Sequence, residues 1–232
     1  MSNWTFQENF LWGNNHPQCL TKTQSPININ TDLIQQCHTL CNFETHYKPS
    51  KCYINFKNNL IRIKYSIGSY LEFEGVLYEL KEITIHLPTL HSIDNEKYDI
   101  EICMIHSLSS DNTETTTDTT VTGVILCRMF EMGHHFGKPE EFMNQFINEV
   151  PREEIDYDKE VIVSDKWGAE LLIPTNKSFY MYDGSLPFPP CSTNYKVIVY
   201  EDIGSIGRTN IELLKLNIDT NIRPIQWLNK RV

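Results

Sequence analysis

The sequence predicts a mainly β fold around one hydrophobic core, and three observations carry that expectation. Short runs of β-branched and aromatic residues recur along most of the chain, broken by Asn, Asp, Gly and Pro. Stretches with helical periodicity are few. The chain has 232 residues, a length at which sheet-dominated units commonly form a single domain, and residues 1–232 are read as one.

In chain order the strand-like runs are CYINFKN, LIRIKYS, YLEFEGV, EITIHL, DIEICMIH, VTGVILCRMF and YKVIVYED. SLSSDNTETTTDTTVT at 107–122 is acidic and Thr-rich, and reads as an exposed loop between two of them. KPEEFMNQFINEV at 138–150 is the clearest helix, with Pro139 and acids at its start and Phe142, Phe146, Ile147 and Val150 at helical spacing. TNIELLKLN at 209–217 predicts a second.

Composition excludes several classes. With 40% hydrophobic and 22% charged residues the chain has enough apolar material for a core. A net charge of −10 repels phosphate and sulfate polymers, so neither nucleic acid nor a sulfated glycan is an expected partner; a neutral or basic protein surface is. No apolar run reaches the roughly 18 residues of a membrane span. MSNWTFQENF lacks the basic start and apolar centre of a secretory signal, so the chain reads as soluble, with no compartment indicated.

Seven cysteines leave at least one unpaired in a monomer. Cys37, Cys41, His46 and Cys52 give C-x3-C-x4-H-x5-C, but CNFETHY alternates like a strand and would send Cys41 and His46 to opposite faces, which argues against a zinc knuckle. His134 and His135 are expected in a turn. Asn3-Trp4-Thr5 and Asn176-Lys177-Ser178 are glycosylation sequons that matter only in a secreted protein. There is no Gly-rich phosphate loop and no nucleophile elbow.

Four stretches together resemble the α-class carbonic anhydrases: QSPININ (24–30) after the lead-in NFLWGNNHPQC, HSIDNEKYDIEICMIH (91–106), LLIPTNKSFYMYDGSLPFPP (171–190) and NIRPIQWLNKRV (221–232). They occur in the family's order along most of the chain. The resemblance implies a central twisted, mostly antiparallel sheet of about ten strands with peripheral helices.

It also implies where a zinc site would lie. The family's first two zinc histidines correspond to Thr84 and His86, which share a strand face, and the third to Cys103 on the next strand. A catalytic zinc takes three protein ligands from His, Cys, Asp or Glu. A neutral Thr hydroxyl is a poor ligand, so metal binding is expected to be lost. His91, Tyr98, Glu101 and His106 fall where the family keeps supporting residues, with Glu101 at the carboxylate that orients the third zinc histidine. Pro187 stands where the family has the Thr that hydrogen-bonds the zinc-bound hydroxide, and Leu90 where it has that threonine's Glu partner. The proton-shuttle histidine corresponds to Asn59, which cannot relay a proton near neutral pH. Only four residues separate His86 from His91, so the rim of the active-site cone should be reshaped.

Cys19 and Cys191 stand where secreted members form a disulfide. Such a link would contribute roughly 4 to 5 kcal/mol by the loop-entropy model; without an export signal, paired and reduced forms both remain open.

The resulting expectation is a catalytically silent relative of the carbonic-anhydrase-related proteins, a structural or protein-interaction component of a larger assembly with no cofactor. Two alternatives remain: a divergent zinc-dependent carbonic anhydrase or esterase using His86, Cys103 and a third group from a loop, and a surface ligand binder. Zinc enters only under the first.

Overall fold

A computed structural model describes residues 4–36, 42–109, 121–133, 136–153, 161–229 and 231. Asn3, Cys37, Cys41, His134 and His135, and positions 110–120 of the Thr-rich stretch, lie outside these residues.

The strands are β1 (Asn28–Ile29), β2 (Phe43–His46), β3 (Ser50–Lys57), β4 (Leu60–Tyr65), β5 (Tyr70–Phe73), β6 (Val76–His86), β7 (Ser92–Ile93), β8 (Ile100–Leu108), β9 (Gly123–Gly133), β10 (Val161–Trp167), β11 (Phe179–Ser185), β12 (Thr193–Tyr200) and β13 (Gly204–Gly207). Among the described residues eleven of them form one sheet. Its main path runs β10-β3-β4-β6-β8-β9-β12-β11, with β5 on β6, β2 on β5 and β13 on β9. Pairing is antiparallel except that β12 and β13 both run parallel to β9, one beside Gly123–Cys127 and the other beside Phe130–Gly133. β1 and β7 form a separate parallel pair. The expected mainly β, mostly antiparallel architecture is thus present.

Both faces of the central strands are buried, which explains why they read as near-continuous apolar runs rather than clean alternations. Period-two geometry divides the side chains between two clusters. On β8 and β9, Ile100, Ile102, Met104, Val124, Leu126 and Phe130 face one core. Cys103, Ile105, Ile125, Cys127 and Met129 face the other.

The first core is covered by α2 (Lys138–Asn144) and α3 (Arg208–Lys215). α2 is shorter than the expected 138–150. Phe146 leaves the helical region at φ −131°, and the chain resumes as a 3-10 turn at Ile147–Glu149. Phe142 and Phe146 stack against Trp167, 4.7 and 5.2 Å away, so the aromatic packing persists where the helix stops. The second core is covered by the N-terminal segment, including α1 (Trp12–Asn15), and by the loop around Phe188.

Chain ends meet beside this second core. Arg223, 5% exposed, donates to Gln24 Oε1 at 2.6 Å, to the Ser25 carbonyl at 3.0 Å and to the Cys19 carbonyl at 2.9 Å. Arg231 donates to the carbonyls of Gln24 and Asp183, and Gln226 to that of Pro26. Cys19 and Cys191 are joined by a disulfide that fastens the same region.

Candidate functional site

β6 and β8 pair antiparallel with Thr84 opposite Cys103 and His86 opposite Glu101. All four side chains therefore share one sheet face, and each is fully buried. His106, at an even position on β8, turns to the other face. There it stacks on Tyr47, lies 2.9 Å from its hydroxyl and shares a hydrogen bond with the Val124 carbonyl. Tyr98 sits apart as well, lining a surface depression of about 650 Å³ with Leu87, Pro88, Lys97, Lys215 and Asp219.

The residues at the expected metal positions are turned toward the protein itself. His86 Nδ1 lies 3.2 Å from the Asn221 carbonyl and so carries the proton; Nε2 then accepts from the Thr84 hydroxyl at 3.0 Å. Both ring nitrogens are thereby used. Asn221 fixes this arrangement, since its side chain accepts from the Leu87 N–H and donates to the Ile85 carbonyl at 2.8 and 2.9 Å. Phe6, 2% exposed, lays its ring edge-on to His86 at 6.3 Å and covers it. Trp4, Trp12 and Phe188 continue the lid, with the Arg62 guanidinium 4.9 Å above the Phe188 ring.

Cys103 donates to Glu101 Oε1 at 3.5 Å and lies 2.8 Å from the sulfur of Cys127, its register partner on β9. Burial, reinforced by Cys127, pushes the Cys103 thiol well above its ordinary pKa. A metal ligand must be a thiolate, whereas here the Cys103 S–H is directed to Glu101 Oε1. Zinc therefore does not fit the residues present: a hydroxyl, an imidazole with both nitrogens engaged, and a thiol held protonated.

Glu101 instead serves His91. Its two oxygens accept the His91 ring Nδ1–H at 2.6 Å and backbone N–H at 2.9 Å. Burial pushes this carboxyl up, but the His91 ring and its two hydrogen bonds outweigh that and hold it at about 2. His91 Nε2 lies 2.7 Å from the Tyr182 hydroxyl, which donates to Ser25 Oγ at 2.9 Å. Donor atoms of His91, Glu101 and Cys127 lie within 4.8 Å of one another, the one such group of three among the described residues. Glu101 already accepts both N–H groups of His91, so two of the three are engaged with each other.

Leu90 is fully buried in the second core, and Pro187 is buried next to Phe188 in the chain. Asn59 has φ 56° and is pinned to the 219–220 segment, accepting from the Asp219 N–H at 3.1 Å. Cys127, Asn221, Tyr182, Phe6, Arg62 and Phe188 are among the members of this centre that the sequence reading did not single out. The β8–β9 register places Cys127; nothing in the local pattern announces it.

Burial holds His86 and His106 at about 4, against an ordinary value near 6.5. The unfolded chain therefore takes up these protons first as pH falls. Stability is complete above pH 6.5 and is lost between 6.5 and 4, by about 2 kcal/mol per histidine at pH 5. Urea unfolding at pH 7.5 and pH 5 measures this, and equal midpoints would refute it.

Residues 7–232 match the family model for eukaryotic-type carbonic anhydrase. Dioscorin DB3L of Dioscorea polystachya is 28% identical over 95% of this chain and 79% of its own length. Alpha carbonic anhydrase 6 of Arabidopsis thaliana is 30% identical over 78% of this chain and 64% of its own. In structure, the α-carbonic anhydrase of Thermovibrio ammonificans, solved with sulfanilamide, superposes with a TM-score of 0.84 over 100% of this chain and 98% of its own at 24% identity, which speaks to the fold.

Proposed function

The chain belongs to the eukaryotic-type carbonic anhydrase family, and from that premise we propose that it is a catalytically inactive member, one domain over residues 1–232, serving as a structural or protein-interaction component. Fold membership does not transmit activity, which is decided at the site. One observation carries the reading: at the ligand positions, His86 Nε2 is occupied by the Thr84 hydroxyl and Cys103 is a buried thiol facing Cys127. Leu90 and Pro187 support it further, since neither can accept or donate a proton. In this role the sheet is a rigid scaffold, the acidic surface favours a neutral or basic protein partner, and Tyr98, Glu101, His91 and His106 act as hydrogen-bonding parts of the fold.

The test is zinc content after purification without chelator and again after dialysis against excess zinc, with carbon dioxide hydration followed in parallel. Zinc well below one per chain and hydration at the uncatalysed rate are expected. Stoichiometric zinc with sulfonamide-sensitive hydration would instead establish the divergent enzyme. The double variant Thr84→His with Cys103→His should raise zinc content toward one per chain. Its hydration should stay roughly 10- to 100-fold short for want of the relay at Pro187 and Leu90; full activity would show that the relay positions do not matter.

A further inference from the structure

Cys103 and Cys127 sit directly opposite each other on antiparallel β8 and β9, both fully buried, with their sulfurs 2.8 Å apart. Opposed residues in such a pair have Cα atoms about 4.5 to 5.5 Å apart, inside the range of about 4.4 to 6.8 Å that a disulfide spans. The sulfurs need approach by only about 0.8 Å to bond. A shared metal requires the opposite movement, because two zinc–sulfur bonds of about 2.3 Å at a tetrahedral angle hold the sulfurs about 3.8 Å apart. The surroundings agree. Ile105, Ile125 and Met129 belong to the same core as the two sulfurs, and the polar contact that a disulfide gives up is the Cys103 S–H to Glu101 Oε1 at 3.5 Å, from a weak donor.

We propose that Cys103 and Cys127 form a second, cross-strand disulfide, closed against a low-molecular-weight disulfide of the glutathione class as the chain folds. In the open chain one cysteine attacks the glutathione disulfide, forming a mixed disulfide and releasing one glutathione thiol. The other cysteine then displaces the second glutathione, and the protein sulfur–sulfur bond forms. Two hydrogens and two electrons pass from the protein to the glutathione disulfide, which leaves as two glutathione thiols. Folding then buries the bond and shields it from re-reduction. The inference goes beyond the acatalytic reading and does not rest on it, although a disulfide sulfur has no anionic form to offer a metal.

The sequence supplies a clean readout, because trypsin releases residues 98–128 as one peptide containing these two cysteines and no others. The full chain is refolded in a buffer of reduced and oxidised glutathione, its remaining thiols are blocked with N-ethylmaleimide in denaturant, and the unreduced digest is weighed. The expected peptide carries no N-ethylmaleimide, weighs two hydrogens less than the dithiol, and takes up two blocking groups after dithiothreitol. A peptide carrying two blocking groups, or glutathione on one sulfur, overturns the proposal. Mass and metal content are read separately, so failure here is distinct from failure of the acatalytic reading.

Discussion

Replacing Glu101 with alanine is expected to lower the unfolding free energy by about 3 to 5 kcal/mol, as measured by urea denaturation at pH 7.5. The carboxylate has no solvent exposure and accepts both the ring and the backbone N–H of His91. Without it, two buried donors lose their acceptor, and His91 stays pressed against Tyr182 in a region closed to water. Glu101→Gln keeps one carbonyl oxygen for His91 and should lose distinctly less. If Glu101→Ala unfolds within about 1 kcal/mol of the parent, the Glu101–His91 pair is not what holds this part of the centre together.

Trp167→Ala should cost a similar amount, about 3 to 5 kcal/mol, by a different mechanism. The Trp167 ring has no exposure and packs between Phe142, Phe146 and Tyr65, at 4.7, 5.2 and 5.7 Å. Its removal leaves a cavity where α2 meets the sheet edge, and neighbouring rings can fill it only in part. The indole N–H finds no acceptor among the described residues, so packing is the whole contribution. Trp167→Phe should therefore retain most of the stability. Equal losses in the two variants, read from urea midpoints, would contradict this.

The fold was legible because strands buried on both faces carry near-continuous apolar runs, as ICMI of β8 and VILC of β9 do. β11 and β13 escaped that reading: FYMYDGS carries Asp183 and Gly184 inside it, and GSIG is half glycine. At the centre, the alternation of Thr84 with His86 and of Glu101 with Cys103 could be counted along single strands. Cys127 could not. Its position opposite Cys103 depends on the register between β8 and β9, and the long polar stretch between them conceals any count of residues. The aromatic lid was hidden for a related reason, since Phe6, which covers His86, and Phe188, which stacks on Trp4, come from distant parts of the chain.

The dependence of His86 on Asn221 has a consequence for biosynthesis. β6 is made early, yet the carbonyl that takes its imidazole proton belongs to a residue translated 135 positions later. Until that residue leaves the ribosome the central strands cannot complete their polar bonds, and the Arg223 tie between the ends is also missing. A chain cut short ahead of Asn221 would therefore be a nascent product with an unfinished heart, a natural target for chaperones and proteases.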